Sequence, residues 1–90
     1  MEIKVESNLA ENELESRGVY QWGTWEKEVS EFPWTYDAEE VCYLLDGEVE
    51  VTPDGGRPVQ IKTGDFVTFP AGMSCNWKIS SPIKKHFNFN

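Results

Sequence analysis

The stretch Glu39-Glu-Val-Cys-Tyr-Leu-Leu-Asp-Gly47 leads into Glu48-Val-Glu-Val-Thr52, and the chain continues through a Pro-Asp-Gly-Gly turn to Phe69. It holds four short runs of β-prone residues separated by glycine turns. Valine alternates with glutamate after Gly47, and alternation of this kind is typical of a strand with one buried face. The stretch therefore predicts antiparallel strands, with a hairpin at the Pro-Asp-Gly-Gly turn.

The flanking sequence extends the same β pattern in both directions. Runs that predict strands are Glu2 to Glu6, Val19 to Ser30, Phe32 to Tyr36, Cys75 to Ser80 and Lys84 to Phe89. We expect Gly47 and Ser81-Pro82 to break strands, Pro33 to lie at a sheet edge, and Gly23 to form a bulge or kink. Ser7-Asn8 predicts the cap of a short helix from Leu9 to Arg17, ended by Gly18. Many short strands joined by turns indicate an all-β sandwich or barrel with one short N-terminal helix.

Size and charge limit the functional classes. Ninety residues make one domain, covering 1–90 with a core at about 19–89. The net charge of −8 repels phosphate backbones and anionic lipids, so we expect no nucleic-acid or membrane partner. The N-terminal residues contain no hydrophobic leader, and two cysteines are too few for a disulfide scaffold. These features favour a cytoplasmic protein, or an organellar one if a transit peptide has been removed.

Two glycine-anchored motifs give the chain a resemblance to a known family. Six residues separate Glu40 from Gly47, and five residues separate Gly64 from Pro70-Ala71-Gly72. This resembles the end of the first cupin motif and the start of the second. The aromatic lead-in and the Lys-Lys-His-Phe-Asn-Phe ending are most similar to small cupins grouped with the ureidoglycine aminohydrolase cupin domain and the EutQ-like proteins. The resemblance implies an RmlC-like jelly-roll β-barrel, a pocket at its mouth, and a homodimer.

The same resemblance implies that the usual metal site is depleted. Cupins with a metal bind it through three histidines and one glutamate, and those positions fall here on Trp34, Tyr36, Glu40 and Cys75. Only the glutamate is retained, and His86 is the one histidine in the chain. We therefore expect no metal cofactor. If a divalent metal binds at all, Glu40, Cys75 and His86 are its candidate ligands.

The alternation of side chains along a strand indicates which residues line the predicted pocket. Trp34, Tyr36 and Glu40 face one side if the strand keeps its register, and Cys75 and Trp77 do so on a later strand. We expect these five residues, with His86, to be candidates for binding a small ligand. Aromatic-lined concave pockets with a few polar groups are typical of ligand sites.

Three of these residues are also candidates for chemistry. Glu40 would be costly to ionise in an aromatic interior without a partner, which would make it a candidate general acid or base, with Tyr36 and Cys75 beside it. Simpler interpretations remain open: Glu40 hydrogen-bonds Tyr36 or a backbone group, and Cys75 is a packed thiol. A Cys75–His86 pair is a further alternative for nucleophilic chemistry.

The leading hypothesis is that the protein binds a small organic molecule in the barrel mouth. One alternative is a metal-dependent hydrolase or isomerase with an atypical ligand set, and the sequence leaves open whether the protein is an enzyme. A second alternative is a non-catalytic scaffold, which predicts a filled barrel and an exposed apolar patch.

Overall fold

The computed structural model describes residues 1–90 as a single seven-stranded sheet. The predicted all-β architecture with one short helix is confirmed. In chain order the elements are β1 (Lys4–Ser7), α1 (Glu11–Ser16), a 3-10 turn (Val19–Gln21), β2 (Gly23–Lys27), β3 (Ser30–Thr35), β4 (Glu40–Pro53), β5 (Val59–Lys62), β6 (Asp65–Phe69) and β7 (Ser74–Phe89). No helix is both long enough and apolar enough to cross a membrane.

The two long strands β4 and β7 form the spine of the barrel. They pair antiparallel, from Glu40 opposite Phe89 to Pro53 opposite Cys75. The first part of β4 also pairs with β6, which in turn pairs with β1, while its second part pairs with β5. Strands β2 and β3 both pair with β7, on its second and first halves respectively. Because β3 has no other partner, Pro33 lies on an edge strand, as predicted.

Gly47 bends a strand that we expected it to end. Strand β4 runs through Gly47 and β7 runs through Pro82, with register shifts between Leu44 and Val49. Gly47 has φ 95°, and a Cβ there would lie 2.2 Å from the carbonyl oxygen of Pro82. Since only glycine tolerates both conditions, the corner where the two spine strands fold over one another depends on this residue.

The inward faces of the strands form one apolar core. Thirteen buried residues pack together there, including Cys42, Leu44 and Val49 from β4. A second, smaller cluster of Leu14, Val19 and Phe66 covers the outer face of the sheet. Leu14 is the one buried residue of α1 and belongs to this cluster, so a single side chain docks the short helix on the sheet.

The helix and the segment after it differ from expectation in detail. Helix α1 is shorter than the predicted Leu9 to Arg17, and Ala10 rather than Ser7 or Asn8 occupies its N-cap. The Ser7 hydroxyl instead donates to Asp65 at 2.7 Å, and Asn8 adopts φ 62°. The run from Val19 begins as a 3-10 turn, and Gly23 simply starts β2.

Candidate functional site

A cavity of about 230 Å³ opens at one end of the barrel, and we call it the mouth cavity. Its lining is seven aromatic side chains and two charged ones: Trp25, Phe32, Trp34, Tyr36, Trp77, Phe87, Phe89, Glu40 and Lys85. Trp34 and Phe89 are about half exposed and stand at the rim, whereas Tyr36, Glu40 and Trp77 are buried. The cavity therefore has an aromatic wall and a charged base.

Strand alternation places these side chains together. On β7 the inward positions of the second half are Lys85, Phe87 and Phe89. Trp25 on β2 pairs with Lys85, and Phe32 on β3 pairs with Trp77. Each pair lies on neighbouring strands, so the cavity wall is set by sheet register rather than by loops.

Glu40 and Lys85 form a buried ion pair at the base of the cavity. The Lys85 Nζ atom lies 2.6 Å from Glu40 Oε2, and the side chains are only 7% and 4% exposed, respectively. The same ammonium lies over the rings of Trp25 at 5.0 Å and Trp77 at 4.8 Å. A carboxylate and two aromatic faces stabilise a cation in an apolar site, so the pair is well compensated.

This ion pair changes the expected role of Glu40. The simpler interpretations gave it Tyr36 or a backbone group as a hydrogen-bond partner, and neither bonds to it in the structure. Its hydrogen bond comes from Lys85, a residue that was not among the predicted site residues. A signal was present, because Lys85 shares parity with Phe87 and Phe89 on β7, and an inward carboxylate needs a cationic partner.

Tyr36 lies under the aromatic wall with its hydroxyl group facing Trp77. It accepts a hydrogen bond from Trp77 Nε1 at 3.2 Å and stacks on Phe69 with ring centroids 4.8 Å apart. Burial, and secondarily the charge of Glu40, raises the pKa of Tyr36 far above its ordinary value of 10.0. The phenol therefore stays protonated at neutral pH and offers its hydrogen as a donor.

Cys75 does not line the mouth cavity. Its Sγ atom contacts the backbone oxygen of Trp34 at 3.6 Å, and burial raises the pKa of this thiol. Burial also raises the pKa of Cys42 to about 12. A thiol with a raised pKa is a poor nucleophile, so the geometry supports the packed-thiol interpretation.

His86 lies on the opposite face of β7 from Lys85. Its ring packs edge-on against Tyr20 with centroids 5.8 Å apart, and its Nδ1 atom is buried without a hydrogen-bond partner. The structure thus brings His86 neither to the cavity nor into a pair with Cys75. Trp22, whose place the sequence left undecided, packs with the outer cluster and contacts Phe66 at 5.9 Å between centroids.

The residues present do not fit the metal that the cupin fold implies. The positions of the four usual ligands hold Trp34, Tyr36, Glu40 and Cys75, and Glu40 is already bound by an ammonium. No group of three or more His, Cys, Asp or Glu side chains is arranged to hold a metal ion. Divalent metals in proteins need several nitrogen, oxygen or sulfur ligands together, and this site offers one engaged carboxylate.

The all-β fold, its glycine corner and its mouth cavity agree with the expected cupin architecture. The profile of the EutQ-like cupin domain matches residues 14–87. The chain belongs to this family.

Known relatives with different degrees of sequence identity also support the cupin family. A DUF861 family protein from Thermotoga maritima has a crystal structure with 47% identity and a TM-score of 0.95, covering 99% of this chain and 100% of that chain. The acetate kinase EutQ of Escherichia coli K12 is 33% identical over 67 residues, which is 74% of this chain. Those residues span only 26% of the Escherichia coli protein. The EutQ protein of Clostridium difficile shares the fold at 20% identity, with a TM-score of 0.66 and coverage of 94% of this chain and 64% of its own.

Proposed function

We propose that the protein binds a small organic molecule in the mouth cavity. The observation that carries the proposal is an aromatic cavity of about 230 Å³ with one buried ion pair at its base. Engineered apolar cavities of about 150 Å³ hold benzene, so this volume suits a ligand of one ring with a short substituent. An apolar wall with a few placed polar groups is the usual composition of a ligand site.

The alternatives receive less support from the geometry. A hydrolase or isomerase with a metal would need ligands that Trp34, Tyr36 and Cys75 do not supply. A scaffold with a filled barrel would not leave the mouth cavity open. The Escherichia coli relative is an acetate kinase, which transfers a phosphoryl group. Such chemistry needs uncompensated positive charge, and the one cation in this cavity is paired with Glu40.

The test is a fragment screen by ligand-observed NMR on the wild type and two matched variants. Trp34 is 48% exposed at the cavity rim, and Tyr20 is 41% exposed outside the cavity lining. Both can be replaced by serine with little loss of packing, so both variants should remain folded. We expect single-ring fragments to bind the wild type and Tyr20→Ser equally, and Trp34→Ser several-fold more weakly. Equal binding by all three proteins, or by none, would refute the proposal.

A further inference from the structure

Building on the small-molecule binding proposed above, we propose that the mouth cavity selects uncharged ligands that carry a hydrogen-bonding head group, such as a primary amide or an alcohol. The Glu40–Lys85 pair sets this preference. It gives the base of the cavity two opposite charges that cancel, together with free donors and acceptors.

The opposite charges of Lys85 and Glu40 compensate each other. Lys85 Nζ and Glu40 Oε2 are 2.6 Å apart, so the base of the cavity carries no net charge. The surrounding wall is aromatic and supplies no further ion to balance a third charge. A carboxylate or an ammonium on the ligand would lose its hydration without gaining an unpaired counter-ion, which makes its transfer into the cavity costly.

The two rings beside the ion pair do not offset this cost for a cationic head group at the base of the cavity. A ring stabilises a cation placed over its face, but Lys85 already occupies the faces of Trp25 and Trp77. A second cation would also be repelled by the Lys85 ammonium. The remaining wall residues offer flat apolar contact, which suits the ring or chain of a neutral ligand.

The polar groups at the base of the cavity also keep hydrogen-bonding capacity for a ligand. An ammonium has three donors, and Lys85 donates one of them to Glu40. Glu40 Oε1 accepts no hydrogen bond. It is not fully buried, since His86 Nδ1 is the only side-chain nitrogen or oxygen that is both fully buried and unpartnered. Because Glu40 lines the mouth cavity, Oε1 faces the cavity as a free acceptor. The Tyr36 hydroxyl accepts from Trp77 and has its own hydrogen free. Adjacent donors and an acceptor match an amide or a hydroxyl group.

Lys85 also explains how the site can keep its glutamate without the histidines that bind a metal in other cupins. In the cupin pattern the glutamate binds a metal cation, and here its partner is the Lys85 ammonium, 2.6 Å away. A side chain of the protein therefore supplies the positive charge, and it cannot leave. Lys85 and Glu40 act as specificity-determining residues in this proposal, without any covalent step.

Isothermal titration calorimetry with matched one-ring probes tests the inference. Benzamide, benzoate and benzylammonium have the same ring and differ in the charge of the head group. We expect wild-type protein to bind benzamide at least about tenfold more tightly than either ion, a difference of about 1.4 kcal/mol. Glu40→Gln leaves Lys85 uncompensated and should reverse the order in favour of benzoate. Lys85→Met should reverse it in favour of benzylammonium.

The double variant Lys85→Met/Glu40→Gln guards against misfolding of the single variants. It removes both charges, so it should keep benzamide ahead of both ions, and circular dichroism will show that it is folded. If wild-type protein binds benzoate or benzylammonium as tightly as benzamide, or if the single variants keep the wild-type order, the charge-selection inference fails while small-molecule binding stands. If no probe and no other fragment binds, the proposed function itself fails and this inference falls with it.

Discussion

Replacing Lys85 with methionine should destabilise the protein strongly, because the variant leaves Glu40 buried without its cation. A domain of 90 residues has a free energy of unfolding of about 5–13 kcal/mol. Breaking a buried ion pair from one side costs about 3–5 kcal/mol, since the remaining charge keeps its desolvation penalty. Methionine matches the volume and flexibility of the lysine stem, so the loss reports charge rather than a cavity.

Two companion variants separate the ion pair from packing. Glu40→Leu should cost less than Lys85→Met, because the ammonium keeps its contacts with the rings of Trp25 and Trp77. The double variant Lys85→Met/Glu40→Leu should recover most of the wild-type stability, since apolar residues often replace a buried pair at little cost. Lys84→Met is the matched control, because Lys84 is exposed on the same strand.

Urea unfolding followed by far-ultraviolet circular dichroism measures these differences. With an m-value of about 2 kcal/mol/M, a loss of 4 kcal/mol lowers the midpoint by about 2 M. The reasoning is refuted if Lys85→Met and Lys84→Met have similar midpoints. It is also refuted if the double variant is as unstable as Lys85→Met alone.

Three further predictions concern parts of the fold away from the ion pair. Burial raises the pKa of both Cys42 and Cys75, so we expect neither thiol to react readily with an aromatic disulfide reagent at pH 8 in the native protein. Both thiols should react once urea has unfolded the protein. Fast labelling of the native protein would contradict this prediction. Gly47→Ala places a Cβ 2.2 Å from a backbone carbonyl oxygen and should lose more than about 3 kcal/mol, whereas Gly55→Ala, with the same positive-φ requirement but open space, should lose about 1 kcal/mol in urea unfolding. The Arg17 side chain, with Nη1 2.8 Å from Glu6 Oε2, lowers the pKa of Glu6 below its ordinary 4.5. This partly exposed pair should therefore contribute up to about 1 kcal/mol of stability above pH 4.5. Glu6→Gln should match wild-type stability in urea unfolding once the pH falls below the lowered pKa, and a difference that persisted there would argue against the pair.

The sequence predicted the strands well because their information is local. Alternation after Gly47 and the Pro-Asp-Gly-Gly turn identify the β4–β5 hairpin without tertiary data. Gly47 was assigned a break because a glycine with positive φ can end a strand or bend it. Only the packing of β7 across β4 decides between the two, and that packing is a contact between residues far apart in the chain.

The site was predicted in part for the same reason. Trp34, Tyr36, Glu40 and Trp77 do line one cavity. The first three do not share one strand as the parity argument required, because β3 ends at Thr35 and β4 begins at Glu40. The parity argument also grouped Cys75 with them, but facing inward does not place a side chain at the open end of the barrel.

The sequence does not readily identify Lys85 as a site residue, because charged residues are normally exposed. The one local signal is its parity with Phe87 and Phe89, which sets it apart from its outward-pointing neighbours Lys84 and His86. The partner carboxylate lies 45 residues earlier in the chain. Homodimer formation stays a prediction from the resemblance, and sedimentation of the purified protein will test it.

The most direct test of the central claim is a ¹H–¹⁵N correlation spectrum recorded during titration with benzamide. Four indole N–H signals are expected, and single Trp→Phe variants assign them. Trp25 and Trp77 line the mouth cavity beside the ion pair, and Trp22 packs on the outer face of the sheet. The account predicts saturable shifts of the Trp25 and Trp77 signals with no shift of the Trp22 signal. Unchanged Trp25 and Trp77 signals at saturating benzamide, or equal shifts of all four, would contradict it.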